Sequence, residues 1–432
     1  LSSSSAASDV YKRQALECGI TGFVTFDVAP GTYTEQVRMR NVAGTGPNSR
    51  VTFRSANGNP ASVILTFDAT VATDNYVLKL DSAKYITYKD MTITAINTAN
   101  GRAIELANLA SFDSILNCNI NAPLSAATTN QVAGIFANLL RGTNNVIKFN
   151  RINGGSAGIF WAGTGTTNLT YDHVIDSNTV TQSFQYGIYV GNNGRIKVSK
   201  NEVTITDPRA ATNYGIYSTS SDSAYQYTGN RVNISGLTAT NTYGIYFTGC
   251  DARDADRGRI AGNTVIGING INGSLYGLYQ TGSTNNNTVN NVVSVNTASS
   301  TNSYGTYLTG GGGVRIQNNS VLNTSPAVTN NAAAYFAQTS GTLPSVNIQN
   351  NIFSHEAGGR AMQATNLNFI FSNYNTFYNT GTALMQFGTT NYATLQDWIN
   401  TSNWDLNSIS IKPEFTSVTN LEPNLASPEV WA

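Results

Sequence analysis

The chain has 432 residues, with 24 basic and 24 acidic side chains and only 11% charged residues. So sparse and balanced a charge offers no basic stripe for nucleic acid, and no polybasic or long apolar segment points to membrane insertion. Solubility falls to Asn, Thr, Ser and Gly, a composition that suits an extracellular or cell-surface protein with a glycan partner.

Residues 1–14 have no initiator Met and share no pattern with the rest of the chain. They read as a non-native, adaptor-derived segment and are set aside. Residues 15–21 are expected to be the remnant of an N-terminal capping helix, and 22–380 a single repetitive domain. Within it the phrase Tyr-Gly-Ile-Tyr recurs at Tyr186, Tyr214 and Tyr243, with Tyr-Gly-Leu-Tyr at Tyr276 and Tyr-Gly-Thr-Tyr at Tyr304. Weaker copies begin at Ala133, Ala157 and Ala333. From Gly134 the steps between second positions are 24, 29, 28, 29, 33, 28 and 29 residues. A period of that size marks a stacked repeat, because one unit cannot bury its apolar face alone.

A second phrase, Asn-x-Val or Asn-x-Ile, keeps step at Asn150, Asn178, Asn201, Asn230, Asn263, Asn291 and Asn319, with Asn351 in Asn-Ile-Phe. Cys118 fills the same slot one period earlier. Each repeat thus holds short β-rich segments separated by Gly/Asn/Ser/Thr runs, with no room for an amphipathic helix. A propeller blade of about 40 residues is too long. The fold class expected is all-β: a single-stranded right-handed parallel β-helix with short helical caps. Equivalent residues then stack about 4.8 Å apart. The Asn row becomes an amide ladder at a tight corner, aided by the tolerance of Asn for left-handed backbone.

Towards the end, Thr394 is a plausible N-cap for a short helix over 393–402, and Ser408-Ile409-Ser410-Ile411 reads as a final strand. Residues 381–432 would cap the raw edge of the solenoid, with a truncated end. Cys18, Cys118 and Cys250 form no disulfide framework or zinc spacing, and Cys118 is expected in a buried corner. His173 and His355 lie too far apart in the repeat for a shared metal site.

The Asn-x-Val and Gly-Ile rows resemble the pectin-lyase-like family of right-handed β-helices, over residues 22–380. Val24–Glu35 looks like the first coil of pectin methylesterases and related bacterial secreted proteins, where it is scaffold. The polygalacturonase signatures are missing, although Arg195-Ile196-Lys197 is similar to one of them. The Asp, Asp, Arg and Gln segments of pectin methylesterases are not recognisable. The resemblance implies a polysaccharide partner. Lyases of this fold use acids to hold calcium and a basic residue to take the proton beside a uronate carboxyl group.

Two candidate sites emerge. Asp222 and Asp251 fall seven residues after successive repeat glycines, beside the dense charges Arg253, Asp254, Asp256, Arg257 and Arg259, with Arg195 one coil earlier. Two carboxylates one rung apart can bind calcium, share a proton, or act on a sugar as acid and nucleophile. Asp222, Asp251, Arg195 and Arg253 are the catalytic candidates, and Asp222, Asp251 and Asp254 the calcium candidates. The alternative is an exposed loop of mutually paired charges.

The second candidate is the aromatic row that ends the phrase: Phe136, Phe160, Tyr189, Tyr217, Tyr246, Tyr279, Tyr307 and Phe336. Alternation predicts Ile188 and its equivalents inward, with Gly187 and Tyr189 outward. Tyr189, Tyr217, Tyr246, Tyr279 and Tyr307 would then form a glycan platform, or simply stack and stiffen the solenoid. A constant gap of 14 residues from Asn201, Asn230, Asn263 and Asn291 to the next Gly predicts that loops 205–213, 234–242, 267–275 and 295–303 stack as a ridge beside it.

The preferred reading is a monomeric, secreted or surface-attached bacterial protein that binds polysaccharide. The rivals are a polysaccharide lyase or glycoside hydrolase acting on a uronate-containing glycan, and an adhesin stalk without a ligand site.

Overall fold

The computed structural model describes residues 16–126, 132–207, 212–268, 270–298, 302–326, 331–337, 346–365 and 370–423. The segment 1–14, the tail after 423, and parts of loops 205–213, 267–275 and 295–303 lie outside them. Two compact units, Leu1–Thr204 and Ile205–Ala432, are each a parallel β-helix of three sheets.

In the first unit, first-sheet strands run from Val24–Val28 to Lys197–Ser199. Second-sheet strands run from Gly31–Thr34 to residues 202–204, and third-sheet strands from Val37–Met39 to Tyr186–Gly191. In the second unit the corresponding ranges are Gln226–Thr228 to Ile370–Asn373, Arg231–Ile234 to Thr376–Asn379, and Thr212–Thr219 to Met385–Phe387. Each strand pairs in parallel with its equivalents on neighbouring coils, the right-handed sense being the one such crossovers take. This is the β-helix that the repeat implies.

Inward columns of β-branched and aromatic residues hold each unit together. Val232, Val265, Val293 and Val321 stack on the second sheet and continue as Phe353 and Phe377. All six are fully buried. Burying each such side chain contributes ~1.5–3 kcal/mol. In the first unit Phe26, Phe53 and Tyr88 stack with centroids 4.9 and 4.8 Å apart.

The corner between first and second sheets carries the amide ladder. Asn263 Oδ1 accepts the Asn230 N–H (3.0 Å) and Asn230 Nδ2 (2.9 Å). Asn263 Nδ2 donates to Asn291 Oδ1 (2.9 Å) and to the Tyr227 carbonyl (2.8 Å). All four hydrogen-bonding positions of the buried amide are therefore used. The same pattern joins Asn291, Asn319, Asn351 and Asn375 in the second unit, and Asn150, Asn178 and Asn201 in the first. Buried Cys118 takes its place there, its N–H donating to Asn150 Oδ1 (2.9 Å). The left-handed conformation belongs not to the ladder Asn but to the residue before it: Asn117, Phe149, Ser177 and Lys200 in the first unit, and Gly229, Gly262, Asn290, Asn318, Asn350 and Tyr374 in the second.

A second polar column, at the corner from third to first sheet in the first unit, has no repeating letter. Asp113 Oδ1 accepts the Ile86 N–H (2.8 Å), Asn145 Oδ1 the Asp113 N–H (3.0 Å), and His173 Nδ1 the Asn145 N–H (3.1 Å). His173 is buried and neutral. Burial lowers it to about 3, and its Nε2 meets Thr170 Oγ1 at 2.7 Å. His355 is likewise a buried acceptor, for the Gly359 N–H at 3.1 Å.

At the C-terminal end the helix Leu395–Ser402 starts at the capping box of Thr394 and Asp397 and stops at left-handed Asn403. It buries only Trp398. The expected strand at 408–411 is not formed. Ile409 makes a single parallel bridge to Thr376, and the terminal strands are an antiparallel pair, Phe415–Ser417 with Asn420–Pro423. At the other end residues 16–18 form a turn rather than a helix.

Candidate functional site

The repeat phrase builds the outer face of the third sheet. In the second unit pairing joins Tyr214 to Tyr243 and Ile216 to Ile245 but skips the glycine between. The strand kinks there, so Tyr214 and Ile216, two positions apart, fall on opposite faces. Gly215 is turned towards the core: a Cβ on it would lie 2.3 Å from Val232 Cγ1 and 2.5 Å from the Gly244 carbonyl oxygen. Gly244, Gly277 and Gly305 stand equally close to Val265, Val293 and Val321. The expectation of an outward glycine is thus wrong, because simple alternation fails at the kink. Its outward place is taken by the first tyrosine of each phrase.

The result is two columns of tyrosines, all partly exposed except Tyr304, which is buried. Tyr214, Tyr243, Tyr276 and Tyr304 form the first, and Tyr217, Tyr246, Tyr279, Tyr307 and Tyr335 the second. Tyr335, not Phe336, occupies the row. Phe336 pairs with Leu308 and points inward against Phe353. Along a column neighbouring rings lie with centroids 4.5–5.7 Å apart, stacked except at Tyr217/Tyr246, tilted by 60°, and Tyr246/Tyr279, edge to face at 78°. Across a rung they stand at 66–90° at Tyr214/Tyr217, Tyr276/Tyr279 and Tyr304/Tyr307. Ring faces are thereby taken by neighbouring rings, and the surface is one of ring edges and phenols. Burial raises the phenols of Tyr243, Tyr304 and Tyr307 and pushes that of Tyr279 up to about 12, with neighbouring phenols adding to the effect. They are neutral donors and acceptors at ordinary pH.

Loops beside the first column stack through backbone bonds, from Asn272 N–H to the Leu237 carbonyl (2.9 Å) and from Ala298 N–H to the Ile271 carbonyl (2.7 Å). The second column leads at its far end to the amide pair Gln363–Gln386, and the first to Arg360, whose guanidinium reaches Asn391 Oδ1 at 3.3 Å.

In the first unit the matching outward column reads Arg38, Lys79, Glu105, Phe136, Phe160 and Tyr189. Phe136, Phe160 and Tyr189 stack at 5.3 and 4.3 Å. Glu105, 8% exposed, is held between Lys79 Nζ (2.7 Å) and Arg102 Nη1 (2.9 Å), and the Arg102 guanidinium lies 3.6 Å over the Phe136 ring. Beside it Arg38 pairs with Asp81. The repeat phrases give no sign of this charged end. Its coils lack the glycine phrase, and only counting back from Ile135 to Ile104 and Leu78 would have revealed it.

The charged corner is dispersed into local contacts. Arg195 belongs to the first unit, where it grips Asp172 with two bonds (2.8 and 2.7 Å) and lies 4.8 Å over Tyr171. In the second unit Asp222 Oδ1 accepts the Ser223 N–H (2.6 Å), and Asp251 Oδ1 the Thr284 hydroxyl (3.0 Å). Arg253 and Asp256 close a tight turn, and Asp254 inside it pairs with Arg257 just beyond it. Arg257 also bonds the Asn286 and Gly313 carbonyls and Asn287 Oδ1, clamping successive coils. Among the described residues no three His, Cys, Asp or Glu side chains converge to hold a metal ion.

No family model and no curated protein matches the chain. Among solved structures it is similar to the catalytic unit of a thermostable GH87 α-1,3-glucanase from Streptomyces thermodiastaticus, at 13% identity and a TM-score of 0.43, over 89% of this chain and 66% of that one. It is similar to the A-module of the Azotobacter vinelandii mannuronan C-5 epimerase AlgE6, at 12% identity and a TM-score of 0.42, over 92% and 91%. A mannuronic acid specific polysaccharide family 6 lyase from human gut microbiota is a third, at 14% identity and a TM-score of 0.40, over 86% and 84%.

Proposed function

We propose that the protein binds polysaccharide on the outer face of the third sheet, as a secreted or cell-surface bacterial protein. The observation that carries this is the double tyrosine column of the second unit. Each coil repeats one pair of neutral phenols at a rise of about 4.8 Å. A polymer of hydroxyl-bearing units lying along the coil axis meets the same donors and acceptors at every rung. Phenol edges, with the stacked loops beside them, suit such a ligand better than flat stacking does.

The test is a glycan array read together with product detection. Binding without products is the expected result, lost when Tyr246 and Tyr279 are replaced by Ala. Products that vanish in Asp222→Ala or Asp251→Ala would instead make the protein a lyase or hydrolase centred on the charged corner. Neither binding nor products would leave a stalk.

A further inference from the structure

In the first unit, the corner residue before each ladder position must adopt φ near +55°, and most coils place a small or polar residue there. Asn117 (φ 49°), Ser177 (φ 55°) and Lys200 (φ 52°) fit this need. Phe149, at φ 59°, does not: a bulky aromatic in the left-handed region is strained. Nor is the strain offset by packing. Tyr85 and Phe112, also left-handed, stack on each other at 4.7 Å. Phe149 is 58% exposed and has no ring partner among the described residues.

Phe149 lines a surface hollow of about 330 Å³ with Pro60, Asn119 and Arg151. Asn119 and Arg151 also line an adjoining hollow of about 400 Å³ that runs over Asn121, Asn153 and Thr181 on the outer face of the second sheet. Asn121 Nδ2 donates to Thr94 (3.1 Å) and Asn153 Oδ1 accepts from Thr181 (3.0 Å). Asn121 Oδ1 and Asn153 Nδ2 have no protein partner among the described residues. The exposed Arg151 guanidinium has none there either, whereas nearby Lys148 is paired with Asp176 (3.4 Å).

We propose that these joined hollows form a second saccharide site, separate from the tyrosine columns, that takes an acidic sugar. A pyranose ring packs on the Phe149 face, its carboxylate pairs with Arg151, and its hydroxyls bond Asn121 and Asn153. The unpaired cation selects a carboxylated ring over a neutral one. The site rests on its own observations and stands whether or not the tyrosine face binds.

Titration of the full chain with hexagalacturonate and with cellohexaose, beside thermal melts, tests this. Phe149→Asn should raise Tm, since Asn suits the left-handed corner, and weaken hexagalacturonate binding at least tenfold. Arg151→Gln should weaken it about tenfold and abolish the preference over cellohexaose. Tyr246→Phe and Tyr279→Phe report on the other face and should leave this site unchanged. Hexagalacturonate affinity unaltered in Phe149→Asn, a lower Tm in that variant, or no binding by the unaltered chain would each overturn the proposal.

Discussion

The indole N–H of Trp398 donates to Asp405 Oδ2 at 2.8 Å, while Asp405 Oδ1 accepts from Ser372, Ser408 and, at 3.2 Å, the Asn375 amide. Asn375 is the last ladder residue, and its backbone N–H goes to Ser408 Oγ at 2.8 Å. One buried carboxylate therefore closes the amide ladder and pins the terminal helix over it. Asp405→Ala removes both functions. It should destabilise the second unit by ~3 kcal/mol and promote aggregation through the uncovered coil, measured by urea unfolding and light scattering.

Asn263→Leu leaves the Asn230 N–H and the Tyr227 carbonyl without their buried partners. Each orphaned group costs ~1–3 kcal/mol. A loss of ~2–5 kcal/mol is expected from chemical denaturation, and an unchanged midpoint would refute the ladder as a stabilising element.

Gly244→Ala sets a methyl 2.3 Å from Val265 Cγ1 and 2.4 Å from the Gly277 carbonyl oxygen. Backbone on one side and a packed valine on the other leave little room to yield. Destabilisation of ~3 kcal/mol or more is expected, and Gly244→Ala/Val265→Ala should recover only part of it.

These relations divide what the sequence discloses from what it hides. The 28-residue rhythm of Asn and Gly gives the coil, because stacking forces equal roles to equal letters. Roles met by unequal letters stay hidden. Asp113, Asn145 and His173 do one job with three residue types, and Lys79 and Glu105 share a column with Phe160. The glycine kink hid the orientation of Tyr214, because alternation assumes an unbroken strand. The acids at 222 and 251 followed the spacing, but spacing says nothing of the local partners that each side chain finds.

Burial pushes the Asp113 carboxyl up to about 8, against the Ile86 N–H bond and the Arg50 charge. Between about pH 4 and 8 the unfolded chain has released this proton and the folded chain keeps it. Stability should then fall as pH rises through that window, by up to about 1.4 kcal/mol per pH unit, and level off above it. Below pH 4 the contribution is complete. Asp113→Asn should flatten this part of the profile and raise stability at pH 7, as seen in Tm against pH.

Tyr279→Ala removes an edge-to-face contact with Tyr246 and a stacked one with Tyr307, each 4.7 Å away, and should cost ~2 kcal/mol. Tyr279→Phe keeps the rings together. If the phenol edge contacts a glycan, the Phe variant should retain its melting temperature yet bind less tightly. Equal losses in both properties would make the column purely a stiffener.

Because Tyr243 and Tyr276 hold equivalent places on successive rungs, residues 243–275 amount to a removable storey. A gene lacking that stretch joins Thr242 to Tyr276, and Leu275, which preceded Tyr276 before, is the lateral mate of Thr242. The shortened chain meets every junction with a conformation it already had. Length in this architecture is thus a heritable dial, set by whole-coil duplication or loss, and the phenol count available to a long ligand follows it.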